Sequence, residues 1–442
     1  MSEQQQKGTN WVAVITMMFI YGMISFVTNL AAPMGNVWKY QPGIDGSNML
    51  GMMGNMMNFL AYVFMGIPAG RMLTNCGYKK TAMIGIATGF VGVLIQFLSG
   101  KIPFTDSAIV PFSVYLLGAF VCGFAVCMLN MVVNPMLNLL GGGGNRGNQL
   151  NMIGTTFNSL AGTATPVLVL SLIGEVSNTT KVADVNLVMY IALTVFAVAF
   201  VILAFIPIAN PEQGTTSEKI PVLSPLRFRH CLLGVVAIFM YVGVEVGIPG
   251  TMGLWLPAAN GPLVKAGIAN AATVTTGCVA VYWLLMLVGR TIGAFIGGKV
   301  SSRILMIVTT VAAMSLLLVG VLLPETVTVS MPVIDVAHLK CWMATVPMTA
   351  LLFALCGLCT SIMWPSTFNL ATEKLGKYTA AASGLFMVMV VGGGVLPLIQ
   401  NGIADKAGFM IAYIVPIFGL AYMFVYSAFL SKPPKNIDEL VK

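Results

Sequence analysis

The sequence predicts an all-α membrane protein: twelve transmembrane helices in two six-helix halves. Three observations carry this. About 20 apolar residues cross a bilayer core as a helix, and stretches of that kind recur twelve times along the 442 residues. Acidic residues avoid them: of the 14 Asp and Glu, only Glu245 falls within a span. Motifs of the first half return, in the same order, about 230 residues later.

The spans read in order as 11–33, 49–70, 81–99, 108–135, 149–173, 186–207, 231–256, 272–297, 303–323, 342–368, 379–401 and 408–430. Charges and polar turns separate them. Lys39 and Asp45 divide spans one and two; Arg71, Lys79 and Lys80 divide two and three; Lys101 and Asp106 divide three and four. Arg146 in a Gly-rich turn ends span four, and Glu175, Lys181 and Asp184 end span five. The longest polar stretch, 208–230, follows span six, so the domains read as 1–207, a linker 208–230, and 231–442. In the second half Lys265, Lys299 with Arg303, Glu325 to Lys340, Glu373 to Lys377, and Asp405 with Lys406 mark the breaks.

Composition excludes other classes. A chain 57% hydrophobic and 8% charged is no soluble globular domain, and its mean hydropathy is +0.90. The net charge of +8 is distributed by side. With both termini cytoplasmic, fifteen Lys and Arg lie inside and six (Lys39, Lys101, Lys181, Lys265, Lys340, Lys406) outside, with Arg290 left near a span end. That is the positive-inside pattern of a multi-pass protein in a cell (inner) membrane. Nucleic-acid binding needs one clustered basic face, and none appears. A membrane enzyme needs a cluster of titratable or metal-binding groups; His230 and His338 stand outside the spans and Glu245 stands alone. No cofactor, metal site or disulfide framework is read from the 8 Cys. The partners expected are the lipid bilayer and a small molecule, with the chain acting as a monomer.

Asn134-Pro135 in span four pairs with Trp364-Pro365 in span ten. Gly162 and Pro166 pair with Gly393 and Pro397, both G-x-x-x-P, and Gly66-Ile67-Pro68-Ala69-Gly70-Arg71 pairs with the segment Gly293 to Lys299. Two parallel six-span repeats are the plan of the major facilitator superfamily. Gly66 to Arg71, followed by Gly77-Tyr78-Lys79-Lys80, resembles that family's loop between spans two and three, with Thr74 and Asn75 where the family usually has Asp-Arg. Asn134-Pro135, Thr156-Phe157-Asn158-Ser159, Ser361 to Pro365 and Gly392 to Pro397 resemble the L-fucose permease and glucose/galactose transporter group. Tyr241 to Val246 is most similar to the glucose/galactose members. The resemblance runs over nearly the whole chain.

What the resemblance implies for the site follows residue by residue. Asn29 and Asn130 stand where the fucose permease pattern has its proton-coupling and binding acids. An amide hydrogen-bonds a hydroxyl as donor and acceptor but exchanges no proton. Asn158 matches the sugar-contacting Asn of span five, Thr155 replaces a neighbouring Gln, and Trp364 replaces a Tyr. With Asn134, these are the expected substrate-binding residues. Paired hydroxyls ask for amides, and a sugar's apolar ring face asks for an aromatic platform. The competing reading of each Asn is a bond between helices. An acid kept at membrane depth is a functional hypothesis by default, so Glu245 is the candidate for ion coupling, by H+ or Na+. Its competing reading is a structural carboxyl. Arg71 and Arg290 are the gating candidates.

The function expected is import of a neutral monosaccharide, a hexose such as glucose, galactose or fucose, by alternating access. The alternatives are an amino-sugar or sialic-acid transporter, an uncoupled sugar facilitator, and a transporter-like sugar sensor.

Overall fold

The computed structural model describes residues 11–104, 106–140, 144–174, 176, 180–206, 221–268, 270–296, 300–335, 340–375 and 378–434. Residues 208–220 of the expected linker lie outside them. Six spans form each half. Span one is α1 (Trp11–Lys39), whose last turns carry it beyond the boundary expected at 33. A four-residue helix, α2 (Asn48–Gly51), leads into α3 (Met53–Ser99). Spans two and three are the two arms of α3, broken at Gly77, where φ of 80° suits glycine. Spans four to six are α4 (Ile109–Leu140), α5 (Gly144–Ile173) and α6 (Asn186–Phe205).

The second half opens with α7 (Arg229–Trp255), then the short α8 (Pro262–Lys265), α9 (Ala271–Ile296) and α10 (Ser302–Leu322). Span ten is broken into α11 (Met348–Thr360) and α12 (Met363–Thr372), and span eleven into α13 (Thr379–Met389) and α14 (Gly392–Ala407). Span twelve holds α15 (Phe409–Ala412) and α16 (Ile414–Val425). Among the described residues eleven helices are long and apolar enough to cross a membrane. Span two completes the twelve; Asn55 and Asn58 dilute its apolar run.

One expectation is corrected. Span ten does not begin at 342. Residues Thr328–Asp335 and Lys340–Pro347 form an antiparallel hairpin, β1 and β2, and the helix starts at Met348. Val329, Val333 and Ile334 on one strand face Val346, Trp342 and Cys341 on the other, side chains that favour a pleated ribbon. The hairpin rests on α9, where Gly277 leaves room for Val333.

The halves meet along two seams: α5 against α9, and the first arm of α3 against α13 and α14. Close approach in the second seam depends on Gly393 and Gly394, which leave room for Phe59 and for the backbone of Met56. Two prolines free carbonyls beside these seams, since a proline has no N–H for the residue four earlier. Pro249 frees the Glu245 carbonyl, which accepts from Tyr282 Oη at 3.1 Å. Pro397 frees the Gly393 carbonyl, which accepts from Asn55 Nδ2 of the other half at 2.9 Å. Membrane helices tolerate proline where a neighbour satisfies the freed group in this way.

Candidate functional site

Between the halves lies a cavity of about 1440 Å³. Its walls run from Lys39 and Ala258, at one end of the bundle, to Arg71 and Ser302 at the other. That volume exceeds an ordinary small-ligand pocket of roughly 300–1,000 Å³, so it includes access path as well as site.

Of the residues expected to bind substrate, Asn29, Asn130, Thr155, Asn158 and Trp364 all line this one cavity. Asn134 falls on α4, but its side chain lies outside the described residues. Asn29 donates from Nδ2 to Ser25 O and Oγ at 2.9 and 3.1 Å, within its own helix. Asn130 donates to Tyr62 Oη at 2.9 Å; Tyr62, itself stacked on Phe59, was not among the expected site residues. Asn158 differs: it faces the cavity, and among the described residues its side chain makes no hydrogen bond. An unengaged amide on a cavity wall is free to take a ligand. Across from these amides Trp364 and Tyr241 set their rings 5.9 Å apart at 54°, and Trp283 adds a third aromatic wall.

One expectation about charge is corrected: Glu245 does not stand alone. Arg290 lies in the last turns of α9, near the span end as expected. It reaches the cavity, where Nη2 lies 3.4 Å from Glu245 Oε1. The side chains are 26% and 15% exposed, so the pair is withdrawn from bulk solvent but open to the cavity. The physical reason is helical geometry: Met286, Arg290 and Gly293, spaced by four and three residues, share the face of α9 turned inward, and Arg290 Nη2 also meets Met286 Sδ at 3.4 Å. The position along the chain says nothing of this pairing, because the helix face decides it. The Tyr241 hydroxyl, one turn before Glu245, lies beside its carboxylate without meeting hydrogen-bond geometry.

Arg290 also crosses the seam. Its Nη1 donates to Ser159 Oγ at 3.0 Å and to the Thr155 carbonyl at 3.4 Å, both on α5. One guanidinium thus joins the acid of the second half to the segment of the first half that carries Asn158. Arg71, the other gating candidate, is exposed at the far end of the cavity. Among the described residues no cluster of His, Cys, Asp and Glu could hold a metal ion.

Known proteins are similar to this chain in sequence and in fold. A glucose/galactose transporter of Brucella abortus is 27% identical over 439 residues, covering 98% of this chain and 96% of its own. A putative glucose/galactose transporter of Helicobacter pylori is 25% identical, with 95% and 96% coverage. The L-fucose-proton symporter of Escherichia coli is 23% identical, with 86% and 84% coverage. Among solved structures, the Escherichia coli fucose:proton symporter superposes with a TM-score of 0.66 over 96% of this chain and 100% of its own, at 18% identity. A Major Facilitator Superfamily transporter in the outward conformation gives 0.65. The family description of the Major Facilitator Superfamily matches residues 11–337. With the two six-span halves and the cavity between them, the chain belongs to the major facilitator superfamily.

Proposed function

We propose that this protein carries a neutral monosaccharide, a hexose, across the inner membrane by alternating access. The observation that carries the reading is the composition of the cavity wall. Asn158 and Asn130 offer amides to hydroxyl groups, Trp364 with Tyr241 offers an apolar platform, and Glu245 and Arg290 neutralise each other as a pair. A ligand with many hydroxyls, an apolar face and no net charge fits such a wall. The names of the relatives point the same way.

The pair bears on the alternatives. An acidic sugar needs a cation; of those lining the cavity, Arg290 is engaged by Glu245 and Ser159, Lys39 by Asn48, and Arg71 lies at the far end. A neutral substrate therefore takes precedence over a sialic acid. The distribution of Lys and Arg puts both termini in the cytoplasm and the Lys39 end of the bundle outside. The transporting unit in this reading is a monomer, which the lining of the cavity by residues of both halves of one chain supports.

Glu245 is the coupling residue in this reading, for H+ or Na+. Asn29 and Asn130 carry no exchangeable proton. Loading a proton or cation onto Glu245 weakens its hold on Arg290, and with it the bonds from Arg290 to α5. No cofactor enters the scheme.

The test is uptake of labelled glucose, galactose, fucose, N-acetylglucosamine and sialic acid into proteoliposomes, with imposed proton or sodium gradients. Uptake of a neutral hexose, with thermal protection by the same sugar, is expected. Uptake of an amino acid or a drug with no response to any sugar sinks the substrate class. Sugar binding without counterflow favours a sensor.

A further inference from the structure

A second polar cluster ties the two halves together far from the site described above. The Asp405 carboxylate, at the end of α14, accepts four hydrogen bonds from the first half: from Asn48 N at 3.0 Å, Met49 N at 2.9 Å, Asn48 Nδ2 at 2.6 Å and Ser47 Oγ at 3.0 Å. The two backbone amides belong to the first turn of span two and have no carbonyl partner within the helix. Asn48 faces both ways. Its Oδ1 accepts from Lys39 Nζ at 2.6 Å while its Nδ2 donates to Asp405, so one amide bridges an ammonium and a carboxylate.

The arrangement is anchored on both sides. Lys39 is 8% exposed, lines the cavity and ends α1. Gly35 and Gly51 let α1 and α2 touch backbone to backbone, so the start of span two is held to span one. On the other side Gly402, one turn before Asp405, leaves room for the Met49 thioether. The bonds therefore join one half to the other, with sequence separations above 350 residues.

We propose that Asp405, with Ser47, Asn48 and Lys39, is a latch that holds the two halves together at the Lys39 end and must release before the cavity opens there. The inference rests on alternating access in this family and not on which molecule is carried. Rocking one half against the other separates their ends on one side of the membrane. A carboxylate with four charge-assisted bonds across the seam is the group that such a motion breaks. Water replaces those bonds on opening, so the latch biases the equilibrium and does not forbid opening.

Two measurements test it. In a protein with Cys76→Ser and Cys341→Ser, spin labels at Lys181→Cys and Ala266→Cys report the distance between the halves at the Lys39 end. Asp405→Ala and Asp405→Asn are both expected to move the distance distribution toward longer values. Asn keeps the shape but sets an NH2 against donors. Identical distributions in both variants overturn the proposal. Separately, Ser47→Cys with Asp405→Cys is oxidised to a disulfide. Labelled glucose transport is expected to fall at least tenfold and to return on reduction, while the crosslink Lys265→Cys with Glu325→Cys, within one half, leaves transport unchanged. Equal transport by the oxidised and reduced Ser47–Asp405 pair also overturns it. If no sugar is carried at all, the substrate reading fails while the distance measurement still decides the latch.

Discussion

Glu245 Oε1 and Arg290 Nη2 lie 3.4 Å apart on neighbouring helices of the second half, and the same guanidinium reaches Ser159 on the first. Removing one partner leaves the other charge at membrane depth without compensation, which costs more than removing both. Arg290→Gln alone is therefore expected to lower the melting temperature in detergent more than Glu245→Gln with Arg290→Gln together. The non-additivity should amount to about 1–3 kcal/mol. Additive losses would show the two side chains to be energetically independent.

The same pair gives a transport prediction. Glu245→Gln keeps shape and hydrogen bonding but cannot change charge. Accumulation against a gradient should be lost, while downhill counterflow continues. A mutant that still concentrates sugar places coupling elsewhere. A wild type that never concentrates sugar under either ion gradient makes the protein a facilitator and Glu245 structural.

Asn158→Ala separates binding from folding. Its amide has no hydrogen bond to lose among the described residues, so stability should hold. Sugar affinity should fall, because one buried bond to a ligand is worth about 1–3 kcal/mol, or roughly five- to 150-fold. Calorimetric titration in detergent decides it, and unchanged affinity would remove Asn158 from the site.

Much of this was legible in the sequence, and the losses have physical causes. The twelve spans were, because hydrocarbon thickness fixes helix length. The cavity residues were, because Asn158, Trp364 and their neighbours carry recognisable motifs. The β1–β2 hairpin was not: a short run such as Lys340–Pro347 is apolar enough to merge with the helix that follows. The Glu245–Arg290 pair was not, because contacts between helices depend on which face each residue occupies. The Asp405 latch was hidden further, since all its partners sit at span ends, where polar residues are the rule.

The Asn55–Gly393 bond makes the last prediction, and it tests the role of proline in the seam. Asn55 Nδ2 satisfies the carbonyl that Pro397 frees. Asn55→Ala leaves that buried carbonyl unpaired, which should cost about 1–3 kcal/mol and appear as a lower melting temperature. Pro397→Ala restores an N–H at position 397, able to bond Gly393 O within the helix. Adding Pro397→Ala to Asn55→Ala should therefore recover much of the lost stability. The double variant is also expected to transport more slowly, because α14 then regains the backbone hydrogen bond whose absence at Pro397 lets it flex. If Pro397→Ala deepens the destabilisation caused by Asn55→Ala, the freed carbonyl is not what Asn55 stabilises, and the amide acts through its packing against Gly393 alone.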